Sequence, residues 1–399
     1  MSAQTSTTSR FYRPELDALR FLAFFLVFSQ HAFVASLIDR VSTLPRIQQV
    51  FSWIALGGRF GVNLFFILSA YLITELLLRE KSISGTVDVR GFYVRRILRI
   101  WPLYFVFIAF CLILPRFTPA VFPLKALLFF VLLSGNWYLV LYGGIPSPVG
   151  PLWSVSIEEQ FYLLWPLVVR VAKRTQIIAI AVGLIFIAFA VRWMLLAHSA
   201  PTHTVWHSTF TRLDEIALGV LAAVLLNGRA PKIHPGLRVV LFAAGITLLG
   251  LSPSWFHVLS DTRSLADGML GYGCGTVAAA LLFLSFLGAP QDGFKFLTSR
   301  PLTYLGRISY GLYVLHQFVL EAVKVILYRL LGHCPMGLRF FLAIPPTILL
   351  AAISYRWLES PFLRLKHRFE HISSGAPALD NAQVTVEARG TAPVPTLSA

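Results

Sequence analysis

The stretch LDALRFLAFFLVFSQH, residues 16–31, decides how the rest of the chain is interpreted. It is typical of an apolar membrane helix, yet it carries three polar groups: Asp17, Arg20 and His31. A charged side chain near the bilayer centre costs roughly 2.5–3.5 kcal/mol on insertion scales, so such residues usually face a polar cavity and have a function there. At about 1.5 Å rise per residue, His31 lies roughly 16 Å along the helix axis from Arg20. An arginine near one membrane face and a titratable imidazole deep in the other half together predict chemistry within the membrane.

The composition indicates an all-α polytopic membrane protein. Hydrophobic residues make up 56% of the 399 residues and charged residues 13%, about half the charged fraction of a soluble domain. The formal net charge of +16 raises nucleic-acid binding as an alternative. Most of the basic residues, however, fall in short loops between apolar runs, as the positive-inside rule predicts. We therefore expect no nucleic-acid partner. The three cysteines lack metal-binding or redox spacing, so we also expect no metal and no disulfide framework.

Ten runs have the length of a membrane span, about 17–25 residues. They are residues 16–38, 57–78, 97–114, 152–171, 176–197, 208–226, 236–252, 265–287, 305–330 and 338–358. The apolar segment 119–141 would be an eleventh, but a crossing there would place Lys173 and Arg174 outside, against the charge rule. We therefore interpret it as a re-entrant or surface-lying segment. Both termini then lie in the cytoplasm.

Polar groups from four predicted spans reach one level in the outer half of the membrane. They are His31, Glu158, Arg192 and Asp214, with Arg212 beside the last of these. A histidine paired with a carboxylate from another helix acts as a general base. We therefore predict His31 and Glu158 as catalytic, with Glu158 or Asp214 orienting the imidazole. The alternative is a structural polar network between helices, and Asp214 with Arg212 also fits a simple intramembrane ion pair.

The run FYVRRILRIWPLY, residues 92–104, carries Arg95, Arg96 and Arg99 at the start of a predicted span. In a helix, Arg95 and Arg99 share a face because they are four residues apart. Guanidiniums on one turn suit phosphate groups. Ordinary anchoring at lipid headgroups is the alternative.

Two further spans carry hydroxyls and a second histidine. Ser69 lies in GRFGVNLFFILSAYLIT, whose small residues also permit close helix contact. In RISYGLYVLHQF, Tyr313 lies three residues before His316 and on the same face. A buried, hydrogen-bonded histidine and a substrate contact are both open there. Glu359, in SYRWLESPF, is expected to pair with a nearby cation.

Six motifs occur in an order that resembles the acyltransferase 3 family of integral-membrane O-acyltransferases, which modify cell-envelope sugars and other acceptors. They are LDALRFLAFFLVFSQH, GVNLFFILSAYLIT, RRILRIWPLY, LWSVSIEEQFYLLWP, ISYGLYVLH and SYRWLESP. The resemblance covers residues 12–362, which we predict to form one membrane domain. Residues 1–11 are then predicted as a disordered N-terminal segment, and 363–399 as a basic and then disordered cytoplasmic tail.

The resemblance implies roles for the matching residues. His31 is the expected catalytic base, Arg95, Arg96 and Arg99 are linked to acyl-CoA use, and Ser154 or Ser156 belongs with Glu158. The expected donor is acetyl-CoA or another acyl-CoA, bound by the three arginines with its arm passing Arg20. The expected acceptor is a hydroxyl of an extracytoplasmic carbohydrate or lipid-linked sugar, in a bacterial inner or plasma membrane.

The residues expected at the substrate are Ser69, Ser156, Arg192, Arg212, Asp214, Tyr313 and His316. A secondary transporter or flippase for an envelope lipid or sugar is the main alternative function. A structural scaffold protein is a weaker alternative function, because a scaffold would not need four polar groups buried at one level of the membrane.

Overall fold

The computed structural model describes residues 11–37, 46–114, 122–258, 260–261 and 263–369. Within these ranges the chain is α-helical and contains no strand, which confirms that the fold is all-α. Most of the predicted N-terminal segment, and the tail beyond residue 369, lie outside the described residues.

Sixteen α-helices follow one another along the described part of the chain. They are α1 Pro14–Leu37, α2 Arg46–Gly57, α3 Gly61–Ser84, α4 Val89–Ile113, α5 Leu124–Val131, α6 Gly135–Tyr142, α7 Trp153–Val171, α8 Arg174–Ala197, α9 Thr202–His207, α10 Leu213–Leu226, α11 Pro235–Ser254, α12 Leu265–Phe286, α13 Arg300–Arg307, α14 Ser309–Leu331, α15 Met336–Ser354 and α16 Ser360–Lys366. A π-helix, Tyr355–Glu359, joins α15 to α16, and a 3-10 turn, His367–Phe369, follows α16.

Seven helical stretches within the described residues are long and apolar enough to cross a membrane. They are Pro14–Phe33, Ala55–Ser84, Val89–Ile113, Arg174–Ala197, Pro235–Ser254, Leu265–Phe286 and Met336–Lys366. The chain is therefore an integral membrane protein, but the predicted count of ten crossings is not confirmed. The three remaining predicted spans correspond to α7, α10 and α14. Helices α7 and α14 each carry three charged residues, and α10, with 14 residues, is only about 21 Å long.

The segment 119–141 contains two short helices, α5 and α6, in its described part. Each has eight residues, about 12 Å, against a hydrocarbon core of about 30 Å. The helical backbone is interrupted between them at Leu133, whose φ is 55°. The amide of Gly135, just past the break, donates to Ser156 Oγ at 3.1 Å. The described residues thus form no continuous crossing helix here, in line with a re-entrant or surface-lying segment.

Helix α1 packs closely against several neighbours through glycines. A Cβ atom at Gly58 or Gly61 would lie 2.3 Å from the Leu26 carbonyl oxygen or 2.5 Å from that of Ala23. At Gly306, on α13, it would lie 2.0 Å from the carbonyl oxygen of Asp17. Small residues permit this close backbone approach between membrane helices. The start of α1, which carries Asp17 and Arg20, is therefore held firmly in place.

The π-helix has a cause in the sequence SYRWLESP. Pro361 has no amide hydrogen, so the regular hydrogen-bond ladder is interrupted at this point. The amide of Ser360 instead bonds the carbonyl of Tyr355, five residues earlier. This wider turn brings Tyr355, Arg356 and Glu359 to the wall of the cavity described next.

Candidate active site

A cavity of about 830 Å³ lies between the start of α1 and helices α3, α4, α7, α14 and α16. Its walls also include the π-helix and the end of α13. One end is formed by residues close to the two ends of the described chain, such as Tyr12 and Lys366. The other end reaches Phe65, Ser154 and Tyr313.

The cavity wall is strongly cationic. Its three carboxylates are those of Asp17, Glu158 and Glu359. Its eight cationic side chains are those of Arg13, Arg20, Arg96, Arg99, Arg307, Arg356, Arg364 and Lys366. A cleft lined by one sign of charge concentrates ligands of the opposite sign, so this cavity suits a polyanion.

Three of the four predicted donor-binding arginines line the cavity: Arg20, Arg96 and Arg99. Arg20 pairs with Asp17 at 2.6 Å. The Arg96 guanidinium lies 5.7 Å from the ring centroid of Tyr162, and its Nε finds no hydrogen-bond partner among the described residues. Arg96 therefore has a donor available to a ligand, and Arg99 lies in the same wall.

The fourth, Arg95, does not line the cavity, so its predicted donor contact is not supported. Its Nη2 bonds Glu80 Oε2 at 3.0 Å, and its Nη1 donates to the Phe369 carbonyl at 2.6 Å. Glu80 is buried, and a buried carboxylate needs a cation or hydrogen-bond donors. That demand, which the spacing of the arginines does not reveal, turns Arg95 away from the cavity.

Tyr12 and Asp17 form the wall at the start of α1. The Tyr12 hydroxyl donates to Asp17 Oδ2 at 2.8 Å, while Asp17 Oδ1 accepts from Arg20. Burial, together with the adjacent Asp17 carboxylate, raises the pKa of the Tyr12 phenol above its ordinary value. Tyr12 therefore stays protonated and fixes the carboxylate that holds Arg20.

Hydroxyl groups line the deep part of the cavity. Ser69 Oγ hydrogen-bonds the Tyr162 hydroxyl, which donates to Glu158 Oε2 at 3.1 Å. The Ser154 and Tyr313 hydroxyls lie 2.7 Å apart. Ser69, Glu158 and Tyr313 thus line the cavity, while the catalytic role of Glu158 and the substrate contacts of Ser69 and Tyr313 stay predictions.

Ser156 does not line the cavity. It is buried and accepts a hydrogen bond from the amide of Gly135, the first residue of α6. Of the two serines in this motif, Ser154 is the one at the cavity. The predicted substrate contact of Ser156 is therefore not supported, because its hydroxyl accepts from the backbone amide of Gly135, where the helix is interrupted between α5 and α6.

His31 and His316 lie beyond the deep end of the cavity. His31 Nδ1 is 3.1 Å from His316 Nε2, and the ring centroids are 5.0 Å apart. His316 Nδ1 lies 2.5 Å from the carbonyl oxygen of Tyr313. Neither histidine is among the residues that line the cavity, and Tyr313 connects the two regions.

The hydrogen bonds of this pair assign its tautomers when both rings are neutral. A carbonyl oxygen only accepts, so His316 carries its proton on Nδ1 and its Nε2 accepts from His31. His31 then donates through Nδ1, and its Nε2 keeps a free lone pair. The predicted carboxylate partner was wrong: Glu158 bonds Tyr162, Asp214 bonds Arg192, and a second histidine orients His31.

Asp214, Arg192 and Arg212 belong to a separate, closed cluster. Arg192 Nη2 pairs with Asp214 at 2.9 Å, and Arg212 pairs with Glu215 at 3.3 Å. Thr276 also donates to Asp214 at 3.1 Å. All these charged groups are buried and none lines the cavity. Their predicted substrate contact is not supported, and the alternative of a structural network fits, with Arg192 as the partner of Asp214.

Several cavity residues were not predicted as ligands. Glu359 was expected to pair with a cation; it accepts from the Ser354 hydroxyl at 3.1 Å, and Arg99 interacts electrostatically with its carboxylate. Arg307 and Arg356 lie near the ends of predicted spans, and Arg364 and Lys366 follow the last predicted span, where basic residues are expected for topology alone. The described residues contain no group of three or more potential metal ligands.

Comparison with known proteins assigns the family. The model described as "Acyltransferase domain" in the acyltransferase 3 family matches residues 13–356. The chain belongs to the acyltransferase 3 family. No solved structure matches it.

Curated relatives agree with this assignment. The chain is 28% identical over 380 residues to peptidoglycan O-acetyltransferase OatA of Listeria monocytogenes, covering 90% of this chain and 57% of that protein. It is 29% identical over 383 residues to a putative peptidoglycan O-acetyltransferase, YrhL, of Bacillus subtilis, covering 88% and 55%. A putative O-acetyltransferase of Staphylococcus aureus is 29% identical over 328 residues, covering 77% and 53%. The chain spans about half the length of these curated relatives.

Proposed function

We propose that this protein is a membrane O-acyltransferase that moves an acyl group from cytoplasmic acyl-CoA to a hydroxyl of a carbohydrate acceptor at the other face. Acetyl is the proposed acyl group, because the relatives are named O-acetyltransferases. The acceptor is an envelope glycan or a lipid-linked sugar, since two relatives are named for peptidoglycan. The proposed location is a bacterial plasma membrane with both termini in the cytoplasm.

One observation carries this proposal: a cationic cavity ends one side chain away from a histidine pair. The eight cations of its wall suit the phosphates of CoA. A neutral acyl donor would not require these cations. The deep wall includes Tyr313, whose carbonyl oxygen bonds the His316 ring, which in turn bonds His31. The distance along α1 from Arg20 to His31, roughly 16 Å, suits the extended arm between the phosphates and the thioester of acyl-CoA.

The chain's own residues account for each step of the transfer. Arg96 and Arg99 bind phosphate groups, and the acyl end passes Ser69 and Ser154 towards Tyr313. His31 Nε2 takes the proton from the acceptor hydroxyl as its oxygen attacks the thioester carbonyl. The carbon–sulfur bond then breaks, and the thiolate leaves with that proton as free CoA. General-base assistance of this kind contributes about 10²–10⁴ in rate.

His316 has a positioning role in this mechanism. By accepting from His31 Nδ1, it helps to keep the lone pair of His31 on Nε2, and a hydrogen bond to the Val27 backbone also holds the His31 ring. Glu158, held by Tyr162 next to Arg20 and Arg96, lies on the donor side and not beside His31. We therefore assign Glu158 to the donor channel.

The test is acetyl transfer by the purified protein in proteoliposomes, with radiolabelled acetyl-CoA and a glycan acceptor. We expect His31→Ala to bind CoA as tightly as the unchanged chain while transfer falls at least a hundredfold. Arg90→Gln, an exposed residue of α4 outside the cavity, is the matched control and should change neither property.

Normal transfer by His31→Ala would remove His31 from the mechanism. Movement of acceptor across the membrane without label transfer would favour the alternative of a secondary transporter or flippase.

A further inference from the structure

Residues 363–399 were predicted as a cytoplasmic tail that begins with basic residues. In the structure, residues 360–369 form α16 and the 3-10 turn His367–Phe369. This segment, which we call the strap, lies at the end of the cavity that includes Tyr12 and Lys366, and we call that end the mouth. Its Arg364 and Lys366 are part of the cavity wall, and Lys366 is buried despite its charge.

The strap is fastened to α4 by Arg95. The Arg95 guanidinium donates through Nη1 to the carbonyl of Phe369, the last described residue, at 2.6 Å. Through Nη2 it pairs with Glu80 Oε2 at 3.0 Å, and Glu80 Oε1 accepts from the Asp88 amide at 2.8 Å. Arg95 and Glu80 are both buried. Removing one partner of a buried ion pair strongly destabilises a protein. The Arg95–Glu80 pair therefore holds the strap firmly against α4.

The cations of the cavity wall come from several parts of the chain, and two pairs of them are linked through Arg95. Arg96 and Arg99 come from α4, whereas Arg364 and Lys366 come from the strap. Arg95 belongs to the same helix as the first pair and holds the second pair in place. A ligand at the mouth therefore meets cations whose relative position depends on Arg95.

We propose that the strap is part of the donor site: Arg364 and Lys366 bind phosphates of the CoA nucleotide, and Arg95 is a positioning residue that acts through the strap. This inference rests on the proposed function, since it takes acyl-CoA as the ligand. It differs from the expectation that Arg95 touches the donor.

Binding of CoA to the full-length protein in nanodiscs tests the assignment. Arg364→Gln/Lys366→Gln should weaken CoA binding about tenfold, because two charge-assisted contacts are lost. Arg95→Gln should weaken it several-fold, and adding Arg95→Gln to the double variant should have no further effect. Contacts that act through one element are non-additive, whereas independent contacts add. Arg90→Gln is again the control.

Two further measurements separate positioning from a general loss of structure. Acetyl transfer from S-acetylpantetheine, which lacks the nucleotide phosphates, should be unchanged within twofold in all these variants. Trypsin should cut the strap, after Arg364, Lys366 or Arg368, several-fold faster in Arg95→Gln than in the unchanged chain. Bound CoA should slow that cleavage in the unchanged chain.

Different outcomes overturn different parts of the argument. CoA binding that is insensitive to Arg364→Gln/Lys366→Gln overturns the strap as a donor site while leaving the proposed function intact. Additive effects of Arg95→Gln, with unchanged trypsin cleavage, overturn its positioning role. If the unchanged chain neither binds CoA nor transfers acetyl from either donor, the proposed function and this inference fall together.

Discussion

His316 determines which nitrogen of His31 is free, and this makes a single-residue prediction possible. His316→Leu removes the side-chain partner of His31 Nδ1 and leaves the ring held by its hydrogen bond to the Val27 backbone, so the free lone pair is held less firmly at Nε2. We expect kcat to fall about ten- to a hundredfold, part of what general-base help contributes. The KM for acyl-CoA should stay unchanged, since His316 does not line the cavity. Steady-state kinetics in proteoliposomes measures both.

The matched variant is His316→Gln, whose amide oxygen still accepts a hydrogen bond. It should keep more activity than His316→Leu, provided that both fold equally well by thermal denaturation. A rise in KM with kcat unchanged would contradict the positioning role and place His316 at the donor instead.

Arg192 and Asp214 make the opposite prediction, because they form a closed ion pair away from the cavity. Arg192→Leu leaves the Asp214 carboxylate buried without its cation, which should lower the free energy of unfolding by about 3–5 kcal/mol. Arg192→Leu/Asp214→Leu should recover most of that loss. Denaturation in detergent measures the stability, and acetyl transfer per folded molecule should change less than twofold. A tenfold loss of transfer in the folded double variant would return these residues to the substrate site.

The His31–His316 pair and the Arg192–Asp214 pair show how far the sequence predicts the partners of single buried residues. The cost of a buried charge predicts that Arg20, Arg192 and Asp214 have partners, but not which partners. Arg20 and Arg96 reach the cavity, whereas Arg95 forms an ion pair with Glu80, which lies fifteen residues earlier on α3. Such a pairing depends on how α3 and α4 pack together. No periodicity within FYVRRILRIWPLY carries that information.

Among the helices, the contact of α13 with α1 gives the clearest prediction. A Cβ at Gly306 would lie 2.0 Å from the backbone oxygen of Asp17, which no side-chain rotation can relieve. Gly306→Ala should therefore destabilise the protein by about 1–3 kcal/mol. Because the shift would move Asp17 and Arg20, CoA binding should weaken as well. Thermal denaturation and CoA titration in detergent measure the two effects.

Gly273, on α12, is the control for this substitution, since nothing lies within 4 Å of a Cβ built there. Gly273→Ala should be neutral or stabilise by up to about 1 kcal/mol, as helix propensity predicts. Equal effects at the two glycines would contradict the packing explanation.

The sequence predicted most helices but not their relation to the membrane. Apolar runs locate α1, α4, α8, α11 and α12 because burial in lipid demands uninterrupted hydrophobicity. Helices α7 and α14 carry three charges each, so composition alone does not qualify them as spans. The strap was missed for a related reason: basic residues after a span are expected for topology, and only tertiary contacts show that Arg364 faces a cavity.

The whole molecule is polarised along α1, and this polarity leads to the last prediction. Cations cluster around one end of the cavity, formed by residues near both ends of the described chain, whereas His31 lies roughly 16 Å further along the same helix. We therefore expect a polyanionic donor to enter at the end of the cavity where these cations lie.

Acyl-CoA should support transfer only from the face at which the cavity opens. In inverted bacterial membrane vesicles, where the proposed cytoplasmic face is outside, added acetyl-CoA should label the acceptor. In right-side-out vesicles it should not, until the membrane is permeabilised. Because the attraction is electrostatic, the KM in inverted vesicles should rise with salt concentration, while the KM for S-acetylpantetheine should stay constant. Equal labelling in both sealed orientations would contradict a one-sided entrance, and with it the assignment of donor and acceptor to opposite faces.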